Sequence, residues 1–178
     1  TTVAGVSASM SGLSLQQLYA AKARLTAERD GSAAISFTPE LTNSPAPAAK
    51  MAMAEANRLF ALKQQADGNE QAQIQERIRQ TEREIGSLQA QAQSSRKQRT
   101  LITPELAGLG QLHEKGLVTI NRLNQMERTA VELDGGIASY DSQIAQARAR
   151  IAEIRQSGFQ MQQDARTRAG QELGQILS

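Results

Sequence analysis

Apolar residues follow two long stripes in the second part of the chain, at alternating spacings of three and four. The mean period of 3.5 residues predicts coiled-coil helices, because it returns each apolar side chain to one face. The first stripe consists of Ile74, Ile78, Thr81, Ile85, Leu88, Ala92, Ser95, Arg99, Ile102, Leu106 and Leu109. The second consists of Leu123, Met126, Ala130, Leu133, Ile137, Tyr140, Ile144, Ala147, Ile151, Ile154, Gly158, Met161 and Ala165. Each stripe is called a seam below.

The two seams match each other when the chain is folded back on itself. The position numbers of Leu88 and Ile144 sum to 232, as do those of Ala92 and Tyr140, and the midpoint of each pair is Gly116. Large residues then face small ones, as Tyr140 faces Ala92, which fills space between helices. The sequence therefore predicts an antiparallel hairpin that turns at Gly116, with a seam of roughly 60 Å on each side.

The first 49 residues have a different pattern. Apolar residues near helical spacing predict a helix over about residues 6–29, and Asp30-Gly31 is a helix stop. Pro39, Pro45 and Pro47 then predict a non-helical connection, because proline lacks the N–H donor that a helix needs. We therefore predict an all-α chain with an N-terminal helix in 1–30, a proline-rich connection in 31–49 and a coiled-coil hairpin in 50–178, turning near 114–119. The first helix is expected to pack near the base of the hairpin.

Three positions interrupt the helical pattern of the hairpin. Asp67-Gly68-Asn69 and Pro104 predict a loosened or bent helix, since an interior proline costs about 3 kcal/mol. Gly135-Gly136 lies inside the second helix, but the seam keeps its phase there, so we expect that helix to be continuous. Arg99 falls on the seam, where its aliphatic stem can pack while its guanidinium reaches towards Glu132.

Composition and charge exclude several classes of function. The 178-residue chain has 3% aromatic residues, no cysteine and a formal net charge of +2, which favours long helices with a narrow apolar stripe over a compact core. His113 is the lone histidine and lacks the second histidine of a zinc-binding helix motif. No glycine-rich phosphate loop, catalytic triad or apolar run of membrane-spanning length is present. We therefore predict no enzyme, no metal or cofactor site and no nucleic-acid partner.

The sequence around the expected turn resembles that of a known family. In order and spacing it is similar to the tip of the HlyD-like membrane fusion proteins, the periplasmic adaptors of bacterial type I secretion systems. The residues that carry the resemblance are Leu112, Lys115, Gly116, Leu117, Val118, Arg122, Leu123, Glu127 and Arg128. The segment ARLTAERDGSAAISFTPEL and the tetrapeptide NRLF resemble the family as well, so the likeness covers most of the chain.

The resemblance implies a location and partners. Such an adaptor is periplasmic, belongs to a protein anchored in the inner membrane of a Gram-negative bacterium, and links an inner-membrane ABC transporter to a TolC-type outer-membrane channel. It assembles as a homo-oligomer, expected to be a hexamer. The family's lipoyl-like domain flanks the hairpin in sequence and is not found in these residues, so we expect the chain to be the hairpin part of a longer protein.

The resemblance also implies a partner-binding site at the hairpin tip. The residues expected to contact the channel are Leu112, Lys115, Gly116, Leu117, Val118, Thr119 and Arg122. Related efflux adaptors carry arginine, leucine and serine or threonine at their tips. Leu112 and Thr119 fit that pattern, whereas the arginine position holds Gly108, and Lys115 or Arg122 are candidates to supply the missing positive charge.

Other interpretations of these patterns stay open at this point. A structural or tethering coiled coil unrelated to secretion would show the same seams, although it rarely needs a symmetric hairpin after a proline-rich break. A helical nucleic-acid-binding module is a third possibility. At the tip, the apolar residues could simply close the end of the hairpin, although exposed apolar turns usually mark contacts with a partner.

Overall fold

The computed structural model describes the backbone of residues 2–177 and the side chains of residues 15–177. Four helices follow one another: α1 (Thr2–Asp30), α2 (Pro39–Thr42), α3 (Pro47–Glu114) and α4 (Ile120–Leu177). No strand occurs between residues 2 and 177. The predicted fold class, an all-α antiparallel hairpin with an additional N-terminal helix, is confirmed. Within the described part of the chain, none of the helices has an apolar stretch sufficient to cross a bilayer.

The chain divides into two compact units. We call Ile74–Arg155 the hairpin unit, and Thr1–Gln73 with Gln156–Ser178 the terminal unit. The hairpin unit contains the second part of α3, the turn and the first part of α4. The terminal unit contains α1, α2, the beginning of α3 and the end of α4.

The two seams hold the hairpin unit together. Every predicted seam position from Ile74 to Ile154 is buried or half-buried. Leu88 and Ile144, which the sequence pairs, belong to one cluster and are only 8% and 6% exposed. The buried members of this cluster are Ile78, Ile85, Leu88, Ile144, Ala147 and Ile151, with Ile74, Tyr140 and Ile154 packed against them. The polar residues between them face water, so this narrow stripe is the core of the unit.

Ion pairs between α3 and α4 flank the seam on both sides. Arg96 Nη2 lies 2.7 Å from each carboxylate oxygen of Asp141 along one edge. Arg150 Nη2 lies 2.8 Å from Glu84 Oε2 along the other edge. Each pair is about half exposed, so each is expected to contribute less than about 1 kcal/mol. Their main effect is to favour one alignment of the two helices.

A third ion pair corrects the sequence interpretation. Arg99 is half-buried on the seam and its Nε donates to Asp134 Oδ1 at 3.0 Å, not to Glu132. Asp134 follows seam residue Leu133 and projects at the edge between the helices. Glu132 precedes Leu133, so the rotation of about 100° per residue places it on the other side of Leu133, on the outer surface of α4 and away from α3. The predicted partner was therefore wrong, although the predicted packing of the Arg99 stem agrees with its burial.

Helices α3 and α4 continue without a break through the glycine and proline residues that interrupt the helical sequence pattern. Gly68 and Pro104 both lie inside α3, and Gly135 lies inside α4. Pro104 is exposed, so the Thr100 carbonyl that loses its helical donor can be hydrated. The interruptions that we expected at 67–69 and 104 therefore do not end the helix.

The terminal unit is built around α1. Its residue Ala20 packs with Leu41 of α2 and with Ala49, Ala52 and Ala56 of α3. Further along α1, Leu25 packs with Ala169 and Leu173 of α4. Met161, predicted on the seam, is 41% exposed, whereas the predicted seam positions Gly158 and Ala165 on either side of it are buried and half-buried. Beyond Ala165, α4 buries Ala169 and Leu173 against Leu25 of α1.

The proline-rich connection is ordered and contains a helical turn that the sequence did not reveal. Pro39 is the first residue of α2 and Pro47 is the first residue of α3. At a first helical position the missing N–H is not needed and the fixed φ suits the helix. Leu41, in the middle of α2, is fully buried and anchors the connection to the helices.

The end of α1 is closed by glycine. Gly31 has a φ of 68°, and the N–H of Ser32 donates to the Ala27 carbonyl at 2.9 Å. A β-carbon at this glycine would lie 2.6 Å from Arg166 Nη2, the end of a flexible side chain that can move aside, so the left-handed φ rather than a lack of space favours glycine here. Beside it, a hydrogen bond from Arg29 lowers the pKa of the Asp30 carboxyl.

Loss of a seam residue is expected to destabilise the hairpin strongly. Leu88→Ala or Ile144→Ala should lower the free energy of unfolding by about 2–5 kcal/mol, because each removes a buried side chain. Urea unfolding followed by far-UV circular dichroism measures the effect. Gln89→Ala and Gln146→Ala are matched controls on the exposed surface of the same helices and should stay within about 0.5 kcal/mol of the parent. Equal effects at seam and surface positions would contradict the assigned core.

Candidate functional site at the hairpin tip

Helix α3 ends in a glycine cap at the tip of the hairpin. Gly116 has a φ of 72°, a left-handed conformation that favours glycine. Its N–H donates to the His113 carbonyl at 2.9 Å, and the N–H of Leu117 donates to the Leu112 carbonyl at 2.9 Å. These two bonds define a Schellman motif, in which apolar residues commonly occupy the positions of Leu112 and Leu117. Local backbone geometry therefore accounts for part of the tip sequence.

Helix α4 begins with a threonine cap immediately after this turn. The N–H of Arg122 donates to Thr119 Oγ1 at 3.3 Å, which satisfies one of the amides without a helical partner. Val118 and Leu123 occupy the two positions of a hydrophobic staple, and both are half-buried. The chain between the helices is consequently held at both ends.

His113 connects the end of α3 to the loop. Its Nδ1 lies 3.3 Å from the Val118 carbonyl oxygen. Because a carbonyl oxygen only accepts hydrogen bonds, this contact requires the hydrogen on Nδ1. Among the described residues, no cluster of three or more histidine, cysteine, aspartate or glutamate side chains could bind a metal ion. His113 therefore has a structural contact within the tip.

All seven predicted tip residues lie in this turn or within three residues of it, and they differ in their surroundings. Gly116 and Thr119 form the two caps. Leu112 is 39% exposed, whereas Leu117 is 69% exposed. Ile120, which the family pattern did not include, is 49% exposed and adds to the apolar surface. The signal for Ile120 was present in the sequence as an apolar residue just beyond the polar cap.

The charged residues of the tip are available to a partner. Lys115 and Arg122 are exposed, and neither takes part in an ion pair within residues 15–177. A β-carbon at Gly108 would meet no atom within 4 Å, so the arginine found there in efflux adaptors is not excluded by lack of space. The tip thus combines an exposed apolar pair with two unpaired cations.

A groove in the terminal unit is a weaker candidate. It lies between α1 and α3, has a volume of about 470 Å³, and is lined largely by alanines such as Ala20 and Ala52. Its charged residues already have partners, since Arg24 pairs with Glu28 and Glu55 pairs with Arg58. Gln17 is the remaining polar side chain in its lining, and a single amide is fewer than the several convergent polar groups that usually position a ligand.

These features define a class of protein, a long antiparallel helical hairpin with a capped and apolar tip. The model of the AprE family, described as a long alpha-helical hairpin, matches residues 6–178, and the chain belongs to this family. The resemblance predicted from the turn residues is thereby confirmed.

Individual relatives agree with this membership. The chain is 32% identical over 163 residues to the type I secretion system membrane fusion protein PrsE of Rhizobium meliloti (strain 1021). The aligned region covers 91% of this chain and 37% of PrsE. It therefore spans little more than a third of that protein. The crystal structure of the soluble domain of LipC, a membrane fusion protein of a type I secretion system, has a TM-score of 0.87 and 23% sequence identity, covering 96% of this chain and 82% of that one. This second likeness concerns the fold.

Two glycines provide a matched test of the cap. Gly116→Ala is expected to destabilise the hairpin by roughly 1–2 kcal/mol, because an L-residue is strained in the left-handed conformation. Gly135→Ala, inside α4 where a β-carbon meets no atom within 4 Å, should instead stabilise the protein, by up to about 1 kcal/mol. Denaturant midpoints of the two variants should shift in opposite directions. Stabilisation by Gly116→Ala would rule out the assigned cap.

Proposed function

We propose that this chain is the periplasmic hairpin of a membrane fusion protein in type I protein secretion. In this role it links an inner-membrane ABC transporter to a TolC-type outer-membrane channel, as part of a protein anchored in the inner membrane. The observation that carries the proposal is the match to PrsE over 91% of the chain. The capped apolar tip supports it independently, because it gives the hairpin a docking surface.

The hairpin unit suits a mechanical role. Its two helices are joined by a continuous apolar seam and by ion pairs on both edges, so bending one helix requires the other to follow. Its surface carries no assembled catalytic constellation among the described residues. We assign energy conversion and cargo selection to the transporter and spacing and docking to this chain.

The exposed apolar residues of the tip are the proposed contact with the channel. Leu117 and Ile120 are largely exposed at an end of the hairpin that has no second layer to cover them. The caps at Gly116 and Thr119 hold the backbone between the helices, so little conformational entropy is lost when a partner binds. Burying an apolar side chain of this size contributes about 1.5–3 kcal/mol.

The other predicted tip residues are assigned by their environment. Lys115 and Arg122 present positive charge beside the apolar pair and favour an acidic surface on the channel. Leu112 and Val118 are more buried than Leu117, and they act mainly by shaping the tip. The adaptor is further proposed to work as a homo-oligomer, with six copies as the expected number.

The proposal predicts that charge at the tip blocks secretion without unfolding the hairpin. Leu117→Asp combined with Ile120→Asp, made in the whole gene product, removes the apolar contact, so release of the system's cargo into the medium should fall by about tenfold or more. Helicity and cellular abundance should match the parent, since both side chains are exposed. Cross-linking to the channel should be lost in parallel.

The control is the same change at a leucine away from the tip. Leu62 lies on α3 in the terminal unit and is 51% exposed, so Leu62→Asp should leave secretion near the parental level. Parental secretion and channel cross-linking in the tip variant would contradict docking through this surface. Milder variants, Leu117→Ser and Ile120→Ser, should show an intermediate loss if the contact is apolar.

A further inference from the structure

The loop between the hairpin helices is bonded twice to one residue, His113. The main-chain carbonyl of His113 accepts a hydrogen bond from the N–H of Gly116 at 2.9 Å. Its imidazole reaches further along the loop, where Nδ1 donates to the Val118 carbonyl oxygen at 3.3 Å. The first bond belongs to the glycine cap, which any residue at position 113 can form through its main chain. The second bond depends on the side chain.

Leu117 lies between the two backbone groups that His113 bonds. Its own N–H donates to the Leu112 carbonyl at 2.9 Å, so the chain is fixed where it enters Leu117. The next fixed group is the Val118 carbonyl, which the imidazole holds. The side chain of Leu117 is 69% exposed, so neighbouring side chains cover little of it. Its direction therefore depends mainly on these backbone bonds.

The other bonds of the loop do not replace the imidazole. Thr119 caps α4, because its side chain accepts from the N–H of Arg122 and its carbonyl accepts from the N–H of Leu123. Both bonds lie beyond the Val118 carbonyl. Within residues 15–177 the imidazole of His113 is the one donor bonded to that carbonyl. Without the imidazole, the peptide group after Val118 is free to rotate towards water.

We propose that His113 is the positioning residue of the tip, and that its Nδ1–H holds Leu117 in the direction in which the channel receives it. This role rests on the docking proposed for Leu117. A contact residue that is already ordered loses less conformational freedom on binding. Freedom regained at one residue weakens binding by roughly fivefold or more, because its backbone must be ordered again. Folding is affected less, since a released Val118 carbonyl at the exposed tip can bond to water.

The contact with Val118 determines where the imidazole carries its hydrogen. Because a carbonyl oxygen only accepts, neutral His113 must carry the hydrogen on Nδ1 and leave Nε2 without one. The chain has one histidine, so isotope-labelled histidine gives the spectrum of a single imidazole. Nitrogen NMR of the chain, at a pH where the ring is neutral, should show Nδ1 as the protonated nitrogen. A hydrogen on Nε2 instead would overturn the proposal.

Three substitutions separate the two ring nitrogens. Asparagine carries its amide nitrogen where histidine has Nδ1, glutamine carries it where histidine has Nε2, and alanine has neither. In the whole gene product, cross-linking to the channel should fall by roughly fivefold in His113→Ala and His113→Gln but stay near the parental level in His113→Asn. Helix propensity alone gives the reverse order, since alanine and glutamine favour a helix more than asparagine does. Parental cross-linking by His113→Ala, or rescue by glutamine and not by asparagine, contradicts a role for Nδ1.

A label at position 117 measures the order of the loop without the channel. The chain contains no cysteine, so Leu117→Cys provides a single site for a nitroxide spin label. In the purified chain, the label should become more mobile when His113→Ala or His113→Gln is added, and should not when His113→Asn is added. Glu114→Gln is the matched control, because Glu114 is the exposed neighbour of His113 and has no ion pair within residues 15–177. Unchanged mobility in His113→Ala would show that the imidazole does not order the loop.

The positioning role and the docking role fail separately. If Leu117→Asp with Ile120→Asp loses the channel while His113→Ala keeps parental cross-linking and label mobility, docking stands and the positioning role is wrong. If label mobility follows the His113 variants as expected but the Leu117 and Ile120 variant cross-links and secretes normally, the imidazole orders the loop and docking through the tip is wrong.

Discussion

The apolar contact between α3 and α4 is the interaction on which the hairpin unit depends. A pair of helices has no second layer, so residues such as Leu88 and Ile144 must provide nearly all of its core. This explains why the seam persists through less favourable positions. Arg99 occupies a seam site by packing its stem and pairing its guanidinium with Asp134, and Pro104 is tolerated because it faces water.

The reversal of the chain imposes the second constraint. Only five residues separate Glu114 from Ile120, and both helix ends leave backbone groups without helical partners. The glycine cap at Gly116 and the threonine cap at Thr119 satisfy some of these groups. A turn this short cannot also bury all of its apolar side chains, so Leu117 stays exposed. The docking surface proposed for the tip is thus a consequence of closing a two-helix structure.

The two-helix core also leaves most of the surface on the sides of the hairpin exposed. The seam uses one stripe of each helix, and polar or small residues cover most of the remainder. Against that background Leu101 and Val131 stand out, since neither contributes to the core and each is 69% exposed.

Periodicity and turn chemistry are local properties, and the sequence by itself determined what depends on them. The 3.5-residue spacing specified the seams, the shared sum of paired positions specified an antiparallel fold, and Gly116 marked the turn. Family-like residues at the tip also led to the correct family. Ile120 was left out of the predicted binding residues because that pattern did not contain it, although the sequence shows it as one of the apolar residues clustered at the turn.

The tertiary structure decided what depends on contacts between distant segments. Helical rotation around Leu133 selected Asp134 rather than Glu132 as the partner of Arg99. The helical turn around Leu41 forms because α1 and α3 bury that leucine, and Ala169 and Leu173 of α4 are buried by Leu25 of α1. The periodicity of a single helix cannot encode these contacts, since each of them depends on residues that another part of the chain brings near.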